Sequence, residues 1–306
     1  MTEPTSLSVP AITPPIDAGI SWRDYYVLCK PRVVMVMLLT AVVGMFLATP
    51  GLPPLSALLL GTLGIALASG SAAALNHIAD RHIDAQMTRT ERRPLPQGRV
   101  SPVQALLFAA LMGIAGISLL VIWVNPLTGW LTLAALIGYA LIYTLYLKRA
   151  TPQNIVLGGI AGAAPPLLGW VAVTGELEPN ALLLVLIIFA WTPPHFWALC
   201  IHRRDEYARA NIPMLPVTHG LSFTRLQILL YTLLMIATTL LPVMTGMSGL
   251  IYLIGVSALN IRFMQWAIRV FRGHDDQAPM AMFRYSINYI MGLFVVLLVD
   301  HYLLIF

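Results

Sequence analysis

The sequence predicts an all-α polytopic membrane protein with nine transmembrane helices, and three observations carry that prediction. Of the 306 residues, 58% are hydrophobic and 10% charged, with a mean hydropathy of +0.79, where a globular enzyme carries about 25% charged residues. Nine apolar runs are long enough to cross a bilayer, which takes about 17–25 helical residues. The polar connections between them alternate in charge.

The runs follow in order. The first, 33–49, starts behind the basic turn Lys30-Pro31-Arg32, and the second, 55–79, behind the turn 50–54. Runs 103–124 and 127–147 are separated by Asn125-Pro126, a pair that ends one helix and starts the next. Run 155–175 is rich in glycine and alanine and carries Pro165-Pro166; small residues let helices approach closely and the prolines kink this one. Run 181–201 holds a second pair, Pro193-Pro194, read as a break. Runs 226–246, 250–270 and 285–305 complete the set.

Charge fixes the expected topology. The N-terminal segment and the loops after runs two, four, six and eight hold the basic residues, whereas connections 50–54, 125–126, 176–180 and 247–249 hold no Lys or Arg. The positive-inside rule then puts the N-terminus in the cytoplasm and the C-terminus outside. The net charge of +5 is a topological signal and gives no reason to expect nucleic acid. Residues 1–21 are expected to be a disordered cytoplasmic tail, and 22–306 a single transmembrane domain. The tail has neither the basic and apolar regions of a signal peptide nor the arginines of a transit peptide, which favours a bacterial inner membrane. Cys29 and Cys200 fit no metal spacing.

The chemistry starts at Asn76-His77-Ile78-Ala79-Asp80-Arg81-His82-Ile83-Asp84. Residues four apart share a helix face, so Asn76, Asp80 and Asp84 form one stripe of oxygen donors. An amide and two carboxylates suit Mg²⁺, and the arginines of the following loop suit the phosphate that Mg²⁺ accompanies. A second acidic pair, Asp205 and Glu206, follows run six in another basic loop. Four helices separate the two sites, which suits a parallel repeat of two four-helix units. Facing acidic helix ends repel unless cations lie between them, and two Mg²⁺ ions bridging a diphosphate would supply these. The alternative is a set of solvated termini paired with Arg81, Arg89, Arg204 or Arg209.

These residues resemble the UbiA-type intramembrane prenyltransferases, from about Trp22 to the C-terminus. The matching blocks are Lys30-Pro31-Arg32, 76–100 and 154–175. The block Thr192-Pro193-Pro194-His195-Phe196-Trp197 and the loop Ile212-Pro213-Met214-Leu215-Pro216 point to the branch whose acceptor is haem. Two positions depart from the pattern: Glu206 stands where an aspartate is usual and Asn211 where a glycine is usual. Asn tolerates the left-handed conformation better than other non-glycine residues.

The resemblance implies nine helices around a membrane-embedded cavity. It also implies transfer of farnesyl from farnesyl diphosphate to a vinyl group of haem B, with addition of water, giving haem O and diphosphate. Haem B is substrate, Mg²⁺ the cofactor, and the lipid bilayer the surroundings; haem A synthase or the terminal oxidase assembly machinery would receive the product. On this reading Asn76, Asp80 and Asp84 hold one Mg²⁺, and Asp205 and Glu206 another or a shared cluster. Arg89, Arg93, Lys148, Arg149 and Arg209, with Lys30 and Arg32, are candidates for diphosphate oxygens, and loops 84–97 and 204–219 are candidate lids. His195, Trp197 and His202 are candidates for haem, His195 as iron ligand or as a hydrogen-bonding partner of a neighbouring helix. His77 and His82 lie off the stripe. Tyr139, Tyr143 and Tyr146 read as interfacial aromatics, or as rings that shield an allylic cation. A prenyltransferase acting on a quinone precursor, a secondary transporter and a non-catalytic assembly factor remain open alternatives.

Overall fold

The computed structural model describes residues 21–303, so the expected tail, 1–21, lies outside the described residues except for Ser21. Every regular element among them is helical. Helices α1 (Trp22–Leu28) and α2 (Pro31–Leu47) are bent 55° apart. Then come α3 (Ala57–Asp84), α4 (Pro102–Trp123), α5 (Pro126–Ala150), α6 (Asn154–Thr174) and α7 (Pro179–His202). Two short helices, α8 (Arg204–Arg209) and α9 (Leu215–Thr218), precede α10 (Gly220–Met244), α11 (Leu250–Arg272) and α12 (Ala278–Leu303). Among the described residues eight helices are long and apolar enough to span a membrane, and nine spans result when the bent pair counts as one.

Local chemistry sets the ends. Ser101 and Gln104 form a capping box at α4, with Pro102 in the first turn, and the Asn125 side chain caps α5. Gly175 and Gly273 end α6 and α11 in the left-handed conformation, which glycine adopts at no steric cost. Spans α10 and α12 begin at Gly220 and Ala278, earlier than the apolar runs at 226 and 285, because Arg225 and Arg284 interrupt hydropathy without interrupting helical hydrogen bonds. The chain turns through Pro165-Pro166, splitting α6 after Ala163. Contrary to expectation, Pro193 and Pro194 lie inside a continuous α7.

The packing repeats. α3 packs on α4 and α4 on α5; α7 packs on α10 and α10 on α11 in the same way. Helices α3 and α7 hold equivalent places, and the polar loops that follow them emerge on one side of the bundle. On the opposite side, Asp300 of α12 is fully buried and accepts hydrogen bonds from the backbone N–H groups of Gly249 (2.6 Å) and Tyr252 (2.9 Å) at the start of α11. Asp300→Ala leaves both donors without their partner, so thermal melting in detergent should show a loss of about 2 kcal/mol.

Candidate active site

The Asn76–Asp80–Asp84 stripe is present on α3, and all three side chains are buried. Asn76 Nδ2 donates to Asp80 Oδ2 (3.0 Å) and to Thr144 Oγ1 of α5 (3.2 Å), while Lys30 Nζ donates to Asn76 Oδ1. Lys148 Nζ is 2.5 Å from Asp80 Oδ2, and Arg93 Nη1 is 2.7 Å from Asp84 Oδ2. Three cations from three segments thus converge on one stripe. Lys30 reaches it from the bend between α1 and α2, where its own backbone is left-handed at φ 48°. A non-glycine residue in that region stores strain, which clusters at functional sites.

Helix α5 delivers its residues through a π-helical stretch, Gly138–Leu147, a form found mostly at functional sites. Thr144 Oγ1 donates to the Tyr139 carbonyl (2.8 Å), five residues back, which supports the widened turn. Tyr139 and Tyr143 stack with ring centroids 5.6 Å apart, and both lie within electrostatic reach of Asp80. Two of the three tyrosines read as interfacial aromatics therefore face the site, and Tyr146 stays outside at 68% exposed. Gly158 of α6 makes room: a Cβ there would lie 2.4 Å from the Tyr143 ring. Asn154 Nδ2 holds the Lys148 carbonyl (3.1 Å).

The second loop approaches through Tyr207 and Arg89. Tyr143 lies within electrostatic reach of Tyr207 and Cys200, and Arg89 of Asp84 on one side and of Tyr207 and Arg203 on the other. Burial, together with Cys200, pushes the Tyr207 hydroxyl above its ordinary range. Asn211 adopts φ 52°, so the turn that usually uses glycine forms here with asparagine. Met87 of the first loop packs in one apolar cluster with Ile212 and Met214 of the second. Loop 85–101 is also tied to α1, since Arg99 pairs with Asp24 at 3.0 Å.

Not every candidate joins. Asp205 is exposed, and Glu206 pairs with Arg203 at 3.3 Å. Among the described residues no three His, Cys, Asp or Glu side chains lie close enough to share an ion. Arg32, Arg209 and His82 are exposed, and Arg149 caps the Ala79 carbonyl at 3.2 Å. The three haem candidates face different ways. His195 is buried with Nδ1 2.5 Å from Ser286 Oγ of α12, its ring stacked between Trp191 (4.2 Å) and Phe283 (4.6 Å). Trp197 packs edge-on against Tyr231 of α10, and His202 is exposed. The side chains unmarked by the sequence reading are Thr144 and Asn154; Thr144, four residues before Lys148, shares its face. His77, placed off the stripe, is 1% exposed with both ring nitrogens unpartnered, near Lys30 and Arg93.

The donor set fits a divalent cation. Asp80 Oδ1 is buried without a hydrogen-bond partner, an arrangement that is costly for a carboxylate oxygen unless something positive meets it. It stands beside an amide oxygen and a second carboxylate on the same helix face, the oxygen ligands that Mg²⁺ takes.

Apolar helices packed around a buried, cation-ringed acidic stripe define a polytopic membrane protein with one concentrated charged site. Residues 37–294 match the UbiA prenyltransferase family, and the chain belongs to it. It is 61% identical over 298 residues to a protoheme IX farnesyltransferase of Marinobacter nauticus, covering 97% of this chain and 99% of that one. To the protein of the same name from Saccharophagus degradans it is 62% identical over 283 residues, 92% and 93% of the two chains. The fold is similar to that of a digeranylgeranylglyceryl phosphate synthase, with TM-score 0.78 at 16% identity over 92% and 98% of the chains. It is also similar to a UbiA homolog from Archaeoglobus fulgidus bound to GPP and Mg2+, with TM-score 0.64 at 18% identity over 90% and 99%.

Proposed function

We infer that the protein transfers farnesyl from farnesyl diphosphate to a vinyl group of haem B, with addition of water, giving haem O and diphosphate. The observation that carries the diphosphate half is the convergence of Lys30, Lys148 and Arg93 on the buried Asn76–Asp80–Asp84 stripe. The acceptor half is supported by relatives about 60% identical over nearly their whole length that carry the name protoheme IX farnesyltransferase. Neither the quinone-precursor reading nor the transporter reading is favoured, and the latter would place its ionisable groups nearer the midplane.

Asn76, Asp80 and Asp84 would hold Mg²⁺, which when bound stabilises charge on the departing diphosphate. Asp205 and Glu206, in the second loop, would serve a second ion or the closing loop. Lys148, Arg93, Lys30 and Arg89 hold diphosphate oxygens, Lys148 and Arg93 moving from the carboxylates they pair with. As the allylic C–O bond breaks, its electron pair leaves with the diphosphate. The Tyr139 and Tyr143 rings face the farnesyl carbon, where π-faces favour positive charge. The vinyl π-electrons form the new C–C bond, charge moves beside the porphyrin, and a water adds there with loss of a proton. Loops 85–101 and 204–219, joined through Met87, Ile212 and Met214, keep water from the first cation. His195, turned toward α12, positions that helix through Ser286 by its Nδ1, and its Nε2 is the nitrogen that would ligate haem iron.

Gly158→Ala should push the Tyr143 ring off the site. Turnover is expected to fall by about tenfold to a hundredfold with thermal melting little changed, read by haem extraction and enzyme kinetics. The acceptor is tested with purified protein, haem B, farnesyl diphosphate and Mg²⁺, followed by mass spectrometry of the haem. A farnesylated, hydroxylated haem is the expected product; unchanged haem with farnesyl on 4-hydroxybenzoate would move the chain to the quinone branch.

The same reading makes 22–306 one transmembrane domain in a bacterial inner membrane, with the site and N-terminus cytoplasmic and the C-terminus outside. Haem A synthase or oxidase assembly machinery would take the product.

A further inference from the structure

A separate group of arginines lies on the outer face of the bundle. Arg262 and Arg269 of α11 are both exposed, and each guanidinium packs on the ring of Trp266 between them, at 5.1 and 5.0 Å from its centroid. Arg262 also donates to Gln265 Oε1 at 2.9 Å. It stands ten residues before the end of α11 at Arg272, about 15 Å of helix rise, so its Cα lies within the span and short of its site-side end. Its reach toward Gln265 and Trp266 carries the charge back toward the membrane edge on the site side.

Helix α12 adds to the same groove. Tyr285 and Tyr289 pack on Phe263 of α11, so Arg284 and Asn288, one position before each, fall on the adjoining flank, where both are exposed. Arg262 lies within electrostatic reach of Tyr285, which places it at this seam.

Among the described residues none of Arg262, Arg269 and Arg284 pairs with a carboxylate. Cations facing hydrocarbon are costly and mark a site where something compensates them. A second copy of this chain offers nothing suitable: the acidic residues of its described spans, Asp24, Asp80, Asp84 and Asp300, are all buried and paired or hydrogen-bonded within their own chain. The anion always available at the membrane edge, toward which these side chains reach, is the lipid phosphate, and the guanidinium fork matches phosphate oxygens in pairs.

We propose that the outer groove between α11 and α12 binds the phosphate of an anionic phospholipid in the leaflet on the site side. Arg262 and Arg284 hold it from the two helices, Arg269 from the membrane edge, and Trp266 lies against the glycerol and upper acyl region.

The test is native mass spectrometry of the delipidated full-length protein in detergent, titrated with phosphatidylglycerol or with phosphatidylcholine of the same acyl chains. Wild type should retain phosphatidylglycerol at about tenfold lower lipid concentration than phosphatidylcholine. In Arg262→Gln/Arg284→Gln that preference should fall to near unity. Arg262→Lys/Arg284→Lys keeps the charges and should retain part of it, which reads the groove even where the glutamine pair fails to fold. Equal retention of the two lipids by wild type overturns the proposal, as does an undiminished preference in the glutamine pair. A membrane protein that stays bound to wild type after mild solubilisation and is lost from the glutamine pair also overturns it, assigning the groove to a partner helix.

Discussion

Asp80→Asn is expected to lower farnesyl transfer by about three orders of magnitude, at the upper end of what removal of one preorganised charged group costs. The substitution keeps the size of the side chain and an acceptor for Lys148, but removes the charge that balances that ammonium 2.5 Å away. It also removes the buried, unpartnered Oδ1 best placed for a cation. Two measurements separate function from folding: mass spectrometry of extracted haem, and the Mg²⁺ concentration that gives half-maximal rate. Melting in detergent should move little compared with the rate. A variant within about threefold of wild type at saturating Mg²⁺ would remove the α3 stripe from the catalytic centre.

Gly169→Ala is the largest expected effect on stability. A Cβ at Gly169 would lie 1.8 Å from the Ala41 carbonyl oxygen, and one at Gly44 2.1 Å from the Pro166 carbonyl oxygen. Both neighbours are backbone, so α2 and α6 must separate. Overpacking of this kind costs about 1–3 kcal/mol, and the upper end applies where no side chain can swing away. The separation would also draw on Lys30 at the start of α2, so activity should fall with stability. Gly162→Ala is the matched control, because nothing lies within 4 Å of its added carbon; alanine there should stabilise the helix by about 0.5–1 kcal/mol. Equal melting of the two variants would show that the close approach of α2 and α6 is not needed.

Much of this site could be read along the chain because its core lies on one helix. Asn76, Asp80 and Asp84 are related by helical geometry alone, so their common face follows from spacing four. Lys148 and Arg93 were legible as cations near membrane edges, but their partners were not. The pairings weighed as the alternative were with Arg81, Arg89, Arg204 or Arg209, and the observed ones join Asp80 to Lys148, 68 positions away, and Asp84 to Arg93. Lys30, ranked with Arg32 on sequence, contacts Asn76, whereas Arg32 is exposed. The difference comes from the 55° bend and the left-handed Lys30 backbone, which no local pattern announces.

Tyr139 and Tyr143 show the same limit. Aromatics near a membrane edge look alike in sequence whether they face lipid or a cavity, and here a π-helical stretch and the missing Cβ of Gly158 turn two of them inward. The histidines divide on the same ground. His195 is held by Ser286 and two flanking rings from α7 and α12, contacts that depend on the register between distant helices.

The sequence alone determined the class of molecule, its membrane spans and the acidic stripe, because bilayer thickness and helical periodicity act on neighbouring residues. Tertiary structure alone decided which cations meet that stripe, which tyrosines face it, and that Arg262 and Arg269 fold onto Trp266 on the outer face of α11. Those outcomes depend on helix approach distances and rotations, set by packing between residues far apart in the chain.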